Sequence, residues 1–125
     1  MTILIVEDNA KVRRLVREVL SEGADTLVEC ADGAEAAEAY AKHRPDLVLM
    51  DIRMPRLDGL AATRQLVKQF PEARVVMLTD YDEDDLRVAA TKAGARGYAL
   101  KHNLTSLEAL VEQIRSEGTE PRPQR

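Results

Sequence analysis

Four short aliphatic runs recur along the chain without polar interruption: Ile3-Leu4-Ile5-Val6, Leu47-Val48-Leu49-Met50, Val75-Val76-Met77-Leu78 and Gly97-Tyr98-Ala99-Leu100. Unbroken apolar strands are expected where helices cover both faces of a parallel sheet. A fifth run, Thr26-Leu27-Val28-Glu29-Cys30, is more polar and predicts an edge strand. Between the runs the apolar period becomes helical. Val12, Leu15, Val16, Val19 and Leu20 share one predicted face, as do Leu86, Ala89, Ala90 and Ala93, and again Leu107, Leu110, Val111 and Ile114. Weaker helices are predicted from Ala34 to Lys42, with Ala36, Ala37, Tyr40 and Ala41 inward, and from Gly59 to Phe70. Asp32-Gly33 reads as a turn, Pro45 and Pro71 follow helix ends, and Gly94 suits a helix C-cap. Strand and helix alternate five times, which predicts an α/β domain with a parallel sheet. The domain is expected over 1–116, and 117–125, with Gly118, Pro121 and Pro123, reads as a flexible tail or interdomain linker.

Composition adjusts this picture in a few places. The chain has 125 residues, enough for one domain with a single core. It lacks Trp, so Leu, Val, Ile and Ala must fill that core, and Phe70, Tyr40, Tyr81 and Tyr98 stand out. A net charge of −4 argues against direct nucleic-acid binding by this domain. Cys30 is the single cysteine, which excludes an intramolecular disulfide and suits a reducing compartment. No apolar run approaches the roughly 20 residues of a membrane span, and the start lacks a basic signal region. A soluble, cytoplasmic domain is expected.

The chemistry collects at strand ends. The first strand runs into Glu7-Asp8, the third into Asp51, the fourth into Thr79-Asp80 and the fifth into Lys101. In open α/β sheets ligands sit outside the carboxyl ends of the strands, so these side chains are expected to converge. Three crowded carboxylates need a cation or raised pKa values. An all-oxygen set without His or Cys favours Mg²⁺. A metal, an ammonium and a hydroxyl around a carboxylate suit phosphoryl transfer to that carboxylate. Asp51, alone at the end of the most apolar strand, is the expected nucleophile.

Four separated blocks carry a resemblance: Ile3 to Asn9, Leu49 to Gly59 (with Asp51, Met54, Pro55, Asp58 and Gly59), Val76 to Thr79, and Gly97 to Lys101. In order and spacing, from Thr2 to about Ser116, the chain resembles the response-regulator receiver domains of two-component signalling. The resemblance implies a single doubly wound, flavodoxin-like sheet of strand order 2-1-3-4-5, for which a chemotaxis member of the same family is a standing example. It implies that Asp51 accepts phosphate from a sensor histidine kinase. Asp8, Asp51 and the Arg53 backbone carbonyl would hold Mg²⁺, with Glu7 reaching it through water. Thr79 and Lys101 would bind phosphoryl oxygens, and Tyr98 would be an aromatic switch that follows Thr79. It also implies control of an output partner or effector domain, with homodimerisation on phosphorylation and a DNA-binding domain beyond the C-terminus as expectations.

Two departures from the family pattern stand out. His102 follows the lysine where a cis proline is common, leaving the Lys101–His102 peptide cis or trans. Asp80 adds charge after the threonine. Other readings compete with each residue. Glu7-Asp8 alone would be a helix cap, Thr79 an ordinary strand end, Lys101 a surface charge, and Tyr98 core filler. The acidic run Asp80, Asp82, Glu83, Asp84 and Asp85 reads as the start of the fourth helix, and Asp58 as the cap of the third, with Gly59 allowing close backbone approach. His43 and His102 read as surface residues, and Cys30 as a small buried apolar group. A haloacid-dehalogenase-type phosphohydrolase would need an acid two residues after Asp51, where Arg53 stands. A flavodoxin-like FMN binder would meet a repulsive Glu7-Asp8-Asn9 loop. A receiver that acts unphosphorylated would not need Asp8, Asp51, Thr79 and Lys101 together.

Overall fold

The computed structural model describes residues 1–54 and 56–119, with side chains as far as 116. The elements are β1 (Thr2–Val6), α1 (Ala10–Leu20), β2 (Thr26–Cys30), a 3-10 turn (Gly33–Glu35), α2 (Ala36–His43), β3 (Leu47–Asp51), α3 (Gly59–Gln69), β4 (Val75–Thr79), α4 (Asp84–Ala93), β5 (Gly97–Leu100) and α5 (Leu104–Thr119). The strands form one parallel sheet of order β2-β1-β3-β4-β5. That is the expected architecture, with polar β2 at an edge.

The unbroken apolar runs are explained by what covers them. Leu4 and Val6 of β1 join Val48, Met50, Val75 and Met77 in a core under α2 and α3. Ile3 and Ile5 turn the other way, joining Leu47, Leu49, Val76 and Leu78 beneath Val16 and Leu20 of α1 and Leu107, Val111 and Ile114 of α5. Alternate residues of each strand therefore meet different helix layers, and every position must be apolar.

Some helix expectations change at their flanks. Leu15 is 52% exposed rather than inward. It lies about 100° round the helix from buried Val16, beyond the cover of α5. Ala41 is likewise exposed, one residue round from buried Tyr40. The predicted start of the second helix at Ala34 is a 3-10 turn capped by Asp32, and the α-helix begins at Ala36. In the acidic run, Asp84 and Asp85 form the first turn of α4 with Glu83 as its N-cap residue, whereas Asp80 and Asp82 precede the helix. Acidic groups there complement the helix dipole.

Helix α5 continues through Gly118 to Thr119, past the expected boundary at 116. Propagating a formed helix gains one hydrogen bond per residue, and an interior Gly costs only about 1 kcal/mol. The rest of the expected tail, 120–125, lies outside the described residues. Gly94 ends α4 in the left-handed conformation at φ 107°, as expected of a C-cap. Cys30 is buried and unpaired. No helix among the described residues is long and apolar enough to cross a membrane.

Candidate functional site

The strand register decides which side chains meet. Val6 pairs with Met50, Asp51 with Leu78 and Thr79 with Leu100, so four neighbouring strands end level. The residues just beyond those ends line a cleft of about 220 Å³: Glu7, Asp8, Asn9, Asp51, Arg53, Thr79, Asp80, Tyr81 and Lys101. Six of the seven residues expected at the site line it; Tyr98 does not, and reaches it only through the Tyr81 backbone.

Local structure fixes each one. Glu7 and Asp8 are not the helix cap, because Asn9 takes that role and accepts from the N–H groups of Lys11 and Val12. This frees both carboxylates for the cleft. The Asn9 N–H donates to Glu7 Oε2 at 3.0 Å, and the Arg13 guanidinium donates to the Glu7 carbonyl at 2.6 Å. Asp51 closes β3, and α3 starts against it. The Asp58 side chain caps α3 through the Ala61 N–H, and the Gly59 N–H donates to the Ile52 carbonyl at 2.7 Å. A Cβ on Gly59 would stand 1.9 Å from the Asp51 carbonyl oxygen, so only glycine allows this approach. The Lys101–His102 peptide is trans, which resolves that choice.

Lys101 pairs with two of the carboxylates. Its ammonium lies 2.6 Å from Glu7 Oε1 and 3.0 Å from Asp51 Oδ1. Glu7 Oε1 is fully enclosed, with the Lys101 ammonium as its partner. Burial pushes Glu7 from 4.5 up to about 7, against the Lys101 ammonium and the Asn9 N–H, which favour its charge. Burial also raises Asp51, opposed by Glu7 and Lys101. For Lys101, burial works to lower the pKa, but Glu7 and Asp51 more than offset it and the net shift is upward. The cleft thus concentrates more negative charge than one ammonium balances. Ligand oxygens of Glu7, Asp8 and Asp51 all lie within 4.8 Å of one another.

The structure also gives the contacts by which these residues meet. The Arg53 guanidinium stacks over the Tyr81 ring at 4.5 Å, closing one side of the cleft with an apolar and cationic wall. Thr79 Oγ1 accepts from the Tyr81 N–H at 3.2 Å. The half-buried Tyr98 ring packs on the core under α3, and its hydroxyl donates to the Tyr81 carbonyl. Arg87 of α4 covers that ring at 4.5 Å while pairing with Asp82 at 2.8 Å. Thr79, Tyr81 and Tyr98 are thereby connected through one loop. None of these pairings has a fixed spacing that a sequence reveals.

An open parallel sheet with a carboxylate cluster and a lysine at its carboxyl edge defines the class: a flavodoxin-like α/β domain built around an acidic cleft. The chain belongs to the response regulator receiver domain family, which it matches over residues 3–115, and is therefore a receiver domain of two-component response regulators. It is 37% identical to the uncharacterized transcriptional regulatory protein YhcZ of Bacillus subtilis, over 96% of this chain and 56% of that protein. It is 36% identical to the chemotaxis protein CheY of the same organism, over 79% of this chain and 83% of that one. Among solved structures, it resembles the Mn²⁺-bound form of response regulator Rcp1 with a TM-score of 0.74 and 30% identity, covering 98% of this chain and 99% of the other. The chain spans about half the length of the transcriptional regulators that it matches, at 56% and 48% for the first two.

Proposed function

We propose that Asp51 is the phosphoacceptor of this receiver. A carboxylate oxygen of Asp51 attacks the phosphorus of a phosphohistidine on a sensor kinase. The new O–P bond forms as the P–N bond breaks, and the electron pair leaves on the imidazole nitrogen. The observation that carries this reading is the convergence on Asp51 of Lys101 at 3.0 Å and of Glu7 and Asp8 in one cleft, with Thr79 on its rim. Lys101 is placed to follow the developing phosphoryl charge, and the Thr79 hydroxyl to donate to a phosphoryl oxygen.

The donor set fits a hard divalent cation. It is all oxygen, and its three carboxylates face one ammonium, Lys101, which pairs with Glu7 and Asp51. Asp8, Asp51 and the Arg53 backbone carbonyl would hold Mg²⁺ directly and Glu7 through water. The ion supplies electrostatic stabilisation of the phosphoryl oxygens. The rest of the catalysis falls to the chain itself, which speeds only its own phosphorylation and dephosphorylation.

The phosphorylated domain then changes shape through Thr79 and Tyr98 and controls an output. The transcriptional relatives of twice the length support a DNA-binding effector domain as that output, while the likeness to CheY supports a stand-alone partner protein. Homodimerisation on phosphorylation and a cytoplasmic location belong to the same reading. With its net charge of −4, the domain itself leaves nucleic-acid contact to the effector. Incubation with acetyl phosphate and Mg²⁺ tests the core of this proposal by intact mass. One phosphoryl group should be added to the wild type, and none to Asp51→Asn or in the presence of EDTA. Stoichiometric labelling of Asp51→Asn would overturn the assignment.

A further inference from the structure

Residues 52–54 and 56–58, between β3 and α3, include Arg53, whose backbone carbonyl is a proposed cation ligand and whose guanidinium stacks on Tyr81. A loop with that task must be held from outside, because a ligand oxygen that wanders weakens binding. One hold is the Gly59 N–H on the Ile52 carbonyl. A second comes from the neighbouring β2–α2 connection. Gly33 lies so close that a Cβ there would stand 2.5 Å from the Leu57 carbonyl oxygen and 3.2 Å from the Met54 methyl carbon.

The third hold is ionic. The Arg56 Nε donates to Asp32 Oδ2 at 2.9 Å, and another guanidinium nitrogen lies 3.4 Å from Glu35 Oε1. Asp32 is a rigid anchor. Its carboxylate is buried, and its other oxygen accepts from the Ala34 N–H at 2.8 Å as the cap of the 3-10 turn. The Ala34 N–H and Arg56 together hold this carboxyl below the usual range, so it is charged at neutral pH. Arg56 spreads its rigidly placed donors over two carboxylates, Asp32 and Glu35. One arginine of the acceptor loop thus reaches a buried carboxylate on a neighbouring connection.

We infer that Asp32 and Arg56 are positioning residues for the Asp51 cleft, clamping the β3–α3 loop so that Arg53 is held ready for the cation. This inference rests on the proposed metal role of the cleft. Neither residue touches the reacting atoms, and both act through the loop.

Mn²⁺ binding followed by electron paramagnetic resonance, together with amide hydrogen exchange of the metal-free protein, tests the clamp. The variants are Arg56→Ala, Arg56→Lys and Asp32→Asn, where Asn keeps the acceptor for the Ala34 N–H. Arg44→Ala, which removes an ion pair with Glu72 and guanidinium contacts with the Tyr40 and Phe70 rings, is the control. Arg56→Ala and Asp32→Asn should each weaken Mn²⁺ several-fold, and the double variant by no more than the larger single effect. Exchange at Gly59, whose N–H is held by the Ile52 carbonyl at the end of this loop, should quicken in both, with Arg56→Lys intermediate and the control unchanged. Unaltered Mn²⁺ affinity together with unaltered loop exchange overturns the clamp. If the wild type itself binds no Mn²⁺, the metal reading fails instead, and the loop exchange still decides whether Asp32 and Arg56 hold the loop.

Discussion

In the metal-free protein, Glu7 should make stability fall as pH rises, which reverses the usual behaviour of a carboxylate. Burial raises Glu7 from 4.5 to about 7, so between those values the folded chain keeps a proton that the unfolded chain has lost. Stability therefore decreases through that window, because the native state binds more protons there. Below it both states are protonated and the cost is absent; above it the full cost remains. Each pKa unit corresponds to about 1.4 kcal/mol, so the shift represents a cost of about 3 kcal/mol. The carboxylate is fully buried, so solvent screening does not reduce the figure. Asp51, raised by the same burial, adds in the same direction, whereas Asp32 and Asp25, both lowered from 3.8, act with opposite sign only below this window. The Glu7→Gln variant deletes the Glu7 contribution together with the part of the Asp51 and Lys101 shifts that Glu7 supplies. Urea unfolding in EDTA from about pH 5 to about pH 8 should show the variant gaining on the wild type by about 2–3 kcal/mol as pH rises. A constant difference between the two proteins across that range would refute the reasoning, and a difference of opposite slope would refute it more strongly.

Other perturbations reach the site from different sides. Gly59→Ala places a methyl carbon 1.9 Å from the Asp51 carbonyl; it should destabilise the domain by at least about 1–3 kcal/mol and impair phosphorylation, as measured by urea unfolding and intact mass. Small polar replacements at both Arg53 and Tyr81 open the stacked wall and should speed loss of the phosphoryl group, measured as the half-life after removal of the donor; a slower loss would count against water exclusion by that wall. Thr79→Ala should leave Asp51 able to accept phosphate but disconnect Tyr98, because a phosphoryl group shifts the ring only through a difference in contacts. A charge-assisted hydrogen bond contributes about 1.5–3 kcal/mol, enough for at least a tenfold population shift. Tyr98 ring signals with and without beryllofluoride read this out, and an equal response in both proteins would break the proposed connection.

The elements were legible because burial on both sheet faces leaves a simple record. Ile3 to Val6 and Val75 to Leu78 cannot tolerate a polar residue when alternate positions meet different helix layers. Helix flanks were less legible, since periodicity gives a direction and not the width of the neighbour that covers it. Leu15 and Ala41 are the result. At the site, Glu7, Asp51, Thr79 and Lys101 could be grouped from sequence because each follows a strand and parallel strands end together. The long cationic side chains could not be placed. Arg13, Arg53, Arg56 and Arg87 find partners across the surface at separations in sequence from 5 to 28 residues, and nothing local in the chain encodes them.

The central claim is the chemistry of Asp51, and chemical trapping tests it most directly. After phosphorylation by acetyl phosphate with Mg²⁺, reduction by borohydride converts an acyl phosphate to an alcohol, and peptide mass spectrometry locates the changed residue. The account predicts homoserine at Asp51 alone, with Glu7, Asp8, Asp58 and Asp80 intact. Modification at another carboxylate while Asp51 stays unreduced would contradict it.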